Sequence, residues 1–413
     1  MMRRPAVVCA GVDWAKDAHE VLVADGDGEP LWSTSVTHDE DGITRLCQAL
    51  VKLGVERVAI ERPDGLLIER LLDAELTVIA IHPNQVKAAR DRFRPAGGKS
   101  DRFDAFVLCE LARTDSHRFR ALTPDSDQTK ALRALTRGRE VLVEQRVALC
   151  NQLRAELERF WPGTTQVFAD LDSPISLAFL ERYPSPIDAR GLGEKRLAQF
   201  LARHHYCGRR TAEQLLIRLR QAPTGRAGDI ESEARRGLVL ALVAALKPIV
   251  EQIRLLTSEI AHAVHAHPDG HIFLSFFRDP KSVICAATLL AEIGDDRSRY
   301  PTSEHLAADA GMTPVAVESG RKKVACFRRG CDHRLRAATG TLADATRHWH
   351  PWAQHRYATA RGRGHDHPRA IRTVGRSWTR VIWRCWQDGI AYDPNHHTAL
   401  QQHLEIINPN AEG

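Results

Sequence analysis

The sequence predicts an α/β domain followed by a mostly helical body, which is an α/β plus α class of fold. Strand and helix signals alternate along the first part of the chain, and two long segments with helical apolar spacing come after it. With 413 residues, the chain is also too long for one ordinary domain. We therefore expect domains at residues 1–122, 123–267 and 268–400, with a tail at residues 401–413.

Three successive strands are predicted first, at the segments AVVCAGVDWA, HEVLVADGDG and PLWSTSVTH. The segment DEDGITRLCQALVKLG then has apolar residues at helical spacing, and VERVAIE follows as a short buried strand. A helix at PDGLLIERLLDAE, a buried strand at LTVIAIHP and a helix at NQVKAARDRF complete the region. The order βββαβαβα is the ribonuclease-H-like arrangement, in which an antiparallel hairpin pair is extended by parallel strands.

Two long helices are predicted in the middle region. Residues 127–160 carry six leucines near heptad spacing, and residues 228–267 form a second long amphipathic segment. We expect the two helices to pair as an antiparallel coiled-coil stalk, with short helices between them. The C-terminal domain is predicted to be mostly helical, with loops at MTPVAVESGRKK and ARGRGHDHP.

The charge of the chain is basic and concentrated near the C-terminus. The net charge is +6, and residues 321–384 hold sixteen Lys or Arg against three Asp or Glu. Such a bias favours a nucleic-acid partner, and RYATARGRGHDHPRAIR is predicted to be a basic loop suited to backbone contacts with DNA or RNA.

The cysteine pattern and the hydropathy suggest where the protein works. Nine cysteines without a CxxC pair are typical of a reduced, cytoplasmic protein. The apolar run near the start is too short for a signal peptide, and no apolar run reaches the length of a membrane span. We expect a cytoplasmic protein with no membrane partner.

Four carboxylates occur at the points of this strand order where chemistry is expected. Asp13 ends the first strand, Glu61 ends the fourth, and Asp101 and Asp104 open the helix after GGKS. An i,i+3 spacing directs both helical acids to one face. Converging carboxylates hold divalent ions roughly 4 Å apart in metal-assisted phosphodiester chemistry, and oxygen ligands favour Mg²⁺ or Mn²⁺.

Each acid by itself has an ordinary explanation. Asp13 could be a strand-end turn residue, Glu61 a surface acid, and the helical pair a normal acidic helix start after an N-cap at Ser100. The four together favour a metal site. Lys99 and Arg102, which flank Asp101, are then expected to face the phosphates of a nucleic acid.

A family resemblance is carried by the segments GVDWAKD, AIERPDG, HPNQVKAARDRF and GKSDRFDA. They resemble the DEDD domain of the IS110 family of insertion-sequence transposases. That domain is similar to the RuvC Holliday-junction resolvase, and the Piv site-specific DNA invertases share the pattern. The resemblance implies that Asp13, Glu61, Asp101 and Asp104 bind the metal.

The C-terminal region resembles the second domain of the same family, where a serine is the proposed DNA nucleophile. The matching residue is Ser319 in TPVAVESGRKK. The cations that follow it are expected to contact nucleic acid: Arg321, Lys322, Lys323, Arg328 and Arg329. One departure is that the family's Gly-rich hairpin is replaced here by DPKS, between Asp279 and Ser282.

The resemblance implies a transposase that cuts and rejoins DNA through a covalent serine–DNA intermediate. It also implies guidance by a structured bridge RNA. Because the acids and the serine lie in different predicted domains, we expect a composite active site and a homodimer or homotetramer on DNA, at the bacterial nucleoid. Two alternatives stay open at this point. One is a RuvC-type endonuclease that uses water as its nucleophile, and the other is an inactive DNA-binding remnant that needs only the basic C-terminal region.

Overall fold

The computed structural model describes residues 7–93, 100–223, 225, 227–279, 282–319 and 322–397. The chain forms two compact units, residues 1–124 and residues 125–413. The residues between Asp279 and Ser282, where the family's glycines are missing, lie outside the described part of the chain.

The first unit is built on a five-stranded sheet of order β3-β2-β1-β4-β5. The strands are β1 (Val8–Asp13), β2 (Ala18–Ala24), β3 (Pro30–Thr37), β4 (Val55–Ile60) and β5 (Thr77–Ala80). β2 pairs antiparallel with both β1 and β3, whereas β4 pairs parallel with both β1 and β5. This order confirms the predicted ribonuclease-H-like arrangement of a hairpin pair extended by parallel strands.

Helices cover both faces of the sheet. They are α1 (Glu40–Lys52), α2 (Leu66–Asp73), α3 (Pro83–Phe93) and α4 (Asp101–Thr114). α1 and α2 pack on one face through residues such as Leu46 and Leu71, and α4 packs on the other. α4 approaches β1 so closely that a Cβ on Gly11 would lie 2.0 Å from the carbonyl oxygen of Ala105. Glycine at this position lets the start of α4 lie against the central strand.

The second unit is mostly helical. Its helices are α5 (Asp127–Phe160), α6 (Pro174–Arg182), α7 (Glu194–Arg203), α8 (Ala212–Gln221), α9 (Asp229–Ala266), α10 (Gly270–Leu274), α11 (Val283–Ile293), α12 (Ser303–Asp309), α13 (His333–Thr346), α14 (Pro351–Gly362) and α15 (His367–Asp388). Two separate hydrophobic cores lie in this unit. One surrounds Phe179 and Phe200 among α6 to α8, and the other surrounds Leu290 and Trp378 among α11, α13 and α15.

The two long helices, α5 and α9, pack side by side and antiparallel. Near one end, the hydroxyl oxygen of Thr129 lies 2.8 Å from Nε2 of His267. Near the other end, the guanidinium of Arg235 donates to Glu156 at 2.7 Å. Three leucines of the α5 heptad pattern, Leu132, Leu153 and Leu157, are fully buried, and they share hydrophobic clusters with residues of α9 such as Ile260 and Leu246. The pairing follows from these facing apolar stripes.

Two segments predicted to be loops have regular structure instead. The segment MTPVAVESGRKK contributes to an antiparallel hairpin of β6 (Val315–Ser319) and β7 (Lys322–Cys326). The β-branched residues Val315, Val317 and Val324 alternate along these strands and favour the extended form. The predicted loop ARGRGHDHP contains a connection at residues 363–366, but the rest of the wider basic segment RYATARGRGHDHPRAIR lies in α14 and α15.

Within the described ranges, no helix combines the length and the apolar character that crossing a membrane requires.

Candidate active site

Asp13 and Glu61 lie at the same edge of the sheet. Asp13 is the last residue of β1, and Glu61 directly follows β4. Because the two strands are parallel and Val12 pairs with Ile60, the residues that follow lie next to each other across the sheet. Both side chains are partly buried. The carboxyl ends of adjacent strands thus bring two of the predicted metal ligands together.

The two acids of α4 have different surroundings. The helix starts after Ser100, whose hydroxyl accepts a hydrogen bond from the backbone N–H of Phe103 at 3.2 Å. Asp104, one turn into the helix, is buried at 1% exposure. Asp101, at the first helical position, is exposed. The predicted i,i+3 pair therefore divides into one carboxylate inside the protein and one at its surface.

Arg90 of α3 joins two of the predicted ligands. Its guanidinium donates to both carboxylate oxygens of Asp104, with Nε to Oδ1 at 2.5 Å and Nη2 to Oδ2 at 2.6 Å. The same Nη2 lies 3.6 Å from Oε1 of Glu61. A bidentate guanidinium–carboxylate pair at a buried position is a strong interaction. Arg90 therefore places a positive charge between Glu61 and Asp104.

One oxygen at this edge lacks a hydrogen-bond donor. Oε1 of Glu61 is buried, and no described group donates a hydrogen bond to it. A buried carboxylate oxygen without a donor is costly, so the position suits a further cation. Within the described part of the chain, no three His, Cys, Asp or Glu side chains stand close enough to hold one ion as they are. The donor set is all oxygen, which suits a divalent ion, but Arg90 would have to move before these acids could hold one.

Asp101 lines a surface cavity of about 420 Å³. Glu20, Ser33, Ser35 and Arg102 also line it, and Nη2 of Arg102 lies 3.4 Å from the hydroxyl oxygen of Ser33. Glu20 pairs directly with Asp13 across β1 and β2, so both side chains point to the same face of the sheet. The cavity thus joins two carboxylates, a guanidinium and hydroxyl groups beside the acid edge.

Ser319 lies in the second unit, at the end of β6 next to the hairpin turn. It pairs with Lys322, and every residue of β6 is exposed. Of the predicted nucleic-acid contacts, Lys99 and Arg321 lie outside the described residues. The described backbone includes Lys322 and Lys323, although their side chains are not described. Ser319 is therefore on an accessible hairpin, in a different compact unit from the four acids.

The two arginines that follow the hairpin differ in their surroundings. Arg328 donates from Nε to the carbonyl oxygen of Thr313 at 3.0 Å, which joins the two ends of the hairpin segment. Arg329 is exposed. Arg328 thus fixes the base of the hairpin in addition to carrying charge.

Comparison with known proteins identifies the family. Residues 10–162 match a DEDD family of the IS110 type, described as a transposase, and residues 282–358 match the family described as transposase IS116/IS110/IS902. The putative transposase of the IS117 mini-circle from Streptomyces coelicolor is 31% identical, over 94% of this chain and 95% of that protein. The chain belongs to the IS110/IS116/IS902 family of transposases. This transposase is therefore an enzyme of an insertion sequence that acts on DNA, as the family resemblance predicted.

Other relatives align with the transposase over nearly their full length. An uncharacterised 42 kDa protein of insertion element IS900 from Mycobacterium paratuberculosis is 28% identical, over 95% of this chain and 98% of that protein. A solved chain of T. thermophilus RuvC in complex with a Holliday junction substrate covers 28% of the transposase and 99% of its own length. It has 16% identity and a TM-score of 0.23. The fold assignment therefore depends on the strand order described above.

Two residues of the transposase site are missing from the sequence-based prediction. Arg90 lies in the conspicuously basic segment KAARDRFRPAGGK, but only the tertiary structure brings its guanidinium between Glu61 and Asp104. Glu20 could have been found by counting the register of the predicted β1–β2 hairpin, since that register sets it opposite Asp13.

Proposed function

We propose that the transposase cuts and rejoins DNA through a metal-dependent carboxylate site and a covalent serine–DNA intermediate. The observation that carries the proposal is the meeting of Asp13, Glu61 and α4 at one sheet edge, where Oε1 of Glu61 lacks a donor. A recombinase of this kind needs DNA and no external energy source. In the family's bacteria it would act in the cytoplasm on nucleoid DNA.

The carboxylates would hold the metal. Asp13, Glu61, Asp101 and Asp104 offer only oxygen ligands, which suits Mg²⁺ or Mn²⁺. A bound divalent cation supplies charge stabilisation at a phosphoryl oxygen. Arg90 would have to release Asp104 before that carboxylate joins the others. Once released, its guanidinium is free to pair with a DNA phosphate, for which a planar fork of donors is well suited.

Ser319 would attack the DNA phosphorus. A bond forms between its Oγ and phosphorus as the bond from phosphorus to one deoxyribose oxygen breaks, and the serine proton goes to that leaving oxygen. A serine hydroxyl is a weak nucleophile at its ordinary pKa, so it needs activation at the site. Because the phosphodiester energy stays in the serine–DNA bond, a free deoxyribose hydroxyl can reverse the step without ATP. Ser319 is exposed on the β6–β7 hairpin, and this position favours its access to DNA.

The active site would be composite, because the acids and the serine belong to different compact units. The antiparallel pair of α5 and α9 would act as a stalk that lets units of two protomers meet. We expect a homodimer or homotetramer on paired DNA ends. A structured bridge RNA, which the family resemblance implies, would select the DNA that is joined.

A comparison of Ser319→Ala with Asp101→Ala tests the proposal on DNA that carries the element ends. Ser319→Ala should abolish both recombination and the protein–DNA adduct seen on a denaturing gel, while Asp101→Ala should abolish cleavage altogether. Ser258→Ala, which removes the hydroxyl of an exposed serine on α9, is the matched control and should behave as wild type.

Two results would contradict the serine mechanism. Cleavage that survives Ser319→Ala but not Asp101→Ala would assign water as the nucleophile, as in a RuvC-type endonuclease. If the unaltered protein binds DNA but neither cuts it nor forms an adduct, the chain is an inactive DNA-binding remnant.

A further inference from the structure

A cavity of about 300 Å³ lies at the base of the β6–β7 hairpin. The first turns of α15 line one side of it, and residues flanking the hairpin line the other. The cationic groups that line it are Arg328, Arg369, Arg372, Arg376 and, when protonated, His365. Among the described residues that line the cavity, none is acidic.

The positive charge of this cavity is only partly neutralised. Arg376 pairs with Glu304 at 2.8 Å. In the described part of the chain, the guanidinium groups of Arg369 and Arg372 form no ion pair, although Arg372 stacks 4.9 Å from the ring centre of Phe327. Like charges gathered around one cavity repel one another, so an anion in the cavity would stabilise them.

Three buried polar atoms of the cavity lining lack hydrogen-bond partners among the described residues. Nε of Arg376 and the hydroxyl of Thr313 are buried, and both lack a hydrogen-bond partner among the described residues. Nδ1 of His365 is also buried and also lacks a hydrogen-bond partner among the described residues. The Nε–H of arginine can only donate, so it needs an oxygen acceptor. A buried donor without an acceptor is costly, and a bound oxyanion would remove that cost.

We propose that this cavity binds a backbone phosphate of a nucleic-acid strand and holds that strand against the hairpin that carries Ser319. Phosphate offers several acceptor oxygens with a negative charge, which matches a cluster of guanidinium groups. Phe327 lies under the guanidinium groups of Arg336 and Arg372, 4.7 and 4.9 Å from its ring centre, and so helps to hold both cations beside the cavity.

The hairpin sets the distance between the phosphate and the nucleophile. From Val315, next to the cavity, to Ser319 there are four strand steps, or about 14 Å. This length corresponds to about four base pairs of B-form DNA. The inference depends on the proposed action on DNA, and it adds a fixed contact a few nucleotides from the point of cutting.

Binding measurements on the full-length protein test the cavity. Affinities for a duplex DNA, a single-stranded DNA and a hairpin RNA of random sequence are measured over a salt series. Arg369→Gln and Arg372→Gln should each weaken binding several-fold on at least one of these probes. Each should also reduce the slope of log K against log salt by about 0.9 for duplex DNA or about 0.7 for single strands. The probe whose affinity falls most in these variants shows which kind of nucleic acid occupies the cavity.

Matched variants separate this effect from a loss of charge or of folding. Arg384→Gln removes an exposed arginine of the same helix that pairs with Asp388 outside the cavity, and it should leave the salt slope unchanged. Arg369→Lys keeps the charge and should retain most of the affinity. Thermal unfolding of each variant confirms that it folds.

The proposal is overturned if the two glutamine variants bind all three probes as Arg384→Gln does. It is also overturned if inorganic phosphate stabilises the protein through these arginines while their replacement leaves nucleic-acid binding unchanged. The measurements are repeated with Ser319→Ala, which should bind as wild type. The test of phosphate binding in the cavity is therefore independent of the test of the serine mechanism.

Discussion

The guanidinium of Arg62 lies 4.3 Å from the centre of the Trp14 ring. These two residues directly follow Glu61 and Asp13, so the stack ties together the chain segments that carry the two acids. Arg62 also lies 3.6 Å from Asp64, which helps to orient its guanidinium. The contact thus fixes the spacing of two carboxylates without involving either of them directly.

Loss of this stack should loosen the acids more than it destabilises the fold. We expect Arg62→Gln to lower the free energy of unfolding by about 1 kcal/mol or less, the size of a surface cation–π contact. The affinity for Mn²⁺ should fall by about ten-fold, as for other residues that orient metal ligands. Calorimetric titration with Mn²⁺ measures this, with the exposed Arg45→Gln as a control that should bind as wild type. Equal Mn²⁺ affinities for the two variants would show that Arg62 does not position the acids.

Arg90 should stabilise the metal-free protein and oppose metal binding. Arg90→Gln leaves the buried Asp104 without its cation, which should lower the free energy of unfolding by about 3 kcal/mol near neutral pH. Mn²⁺ should restore part of this loss and should bind more tightly than in wild type, because it no longer competes with the guanidinium. Chemical denaturation with and without Mn²⁺ measures both effects.

Arg92→Gln on the same helix is the control for Arg90. Its side chain is 62% exposed and lies 3.6 Å from Asp115, so its replacement should change stability by less than about 0.5 kcal/mol. If Mn²⁺ binds no more tightly to Arg90→Gln than to Arg92→Gln, then Arg90 does not compete with the metal for Asp104.

His19 should make the first unit sensitive to acid. Its Nδ1 accepts from the backbone N–H of Ala15 at 3.3 Å, so its Nε2 carries the proton and faces Nδ1 of His38 at 2.8 Å. Burial, followed by the charge of His38, lowers the pKa of His19 to about 4. The unfolded chain, with a pKa near 6.5, therefore binds a proton that the folded chain does not.

The stability that neutral His19 contributes is complete above pH 6.5 and is lost as the pH falls towards 4. In that window, the free energy of unfolding should fall by up to about 1.4 kcal/mol per pH unit. Urea denaturation at several pH values measures the slope, and His19→Gln should flatten it. An unchanged slope in His19→Gln would assign the acid sensitivity to other groups.

The close packing of α4 against β1 should depend on glycine at position 11. Gly11→Ala introduces a Cβ that would lie 2.0 Å from the carbonyl oxygen of Ala105, so α4 must move away from β1. We expect a loss of about 3 kcal/mol in the free energy of unfolding, as for an overpacked core, together with weaker Mn²⁺ binding. Gly138→Ala in α5, where the added Cβ has no neighbour within 4 Å, should instead stabilise the protein by up to about 1 kcal/mol. Thermal and urea unfolding compare the two.

The local pattern of the sequence was enough to predict the sheet. Period-2 and period-3.6 spacing identify the strands and helices of the first unit, and the strand order then brings Asp13 and Glu61 to one edge. Contacts between distant side chains were not predictable in this way. Arg90 is 14 residues from Asp104, and no periodicity shows that its guanidinium would meet that carboxylate.

The C-terminal errors have a different cause. Glycine, proline and charge around Ser319 favour a loop, but the β-branched residues on both sides of the turn form a hairpin. The basic stretch before Arg372 also reads as a loop from its composition. Its short connection is bounded by a helix start at Asp366, whose side chain accepts from the backbone N–H of Arg369 at 2.9 Å. Capping of this kind extends the helices into sequence that composition alone assigns to a loop.

The β6–β7 hairpin has a practical consequence for handling the protein. In the described part of the chain it is a two-stranded sheet, with β-branched side chains in water and no third strand on either edge. Such open edges pair readily with other chains. A preparation stripped of nucleic acid should therefore self-associate and precipitate on concentration, whereas an added oligonucleotide should keep it monodisperse. Poor solubility of the purified protein would then reflect a missing partner and not a defect in folding.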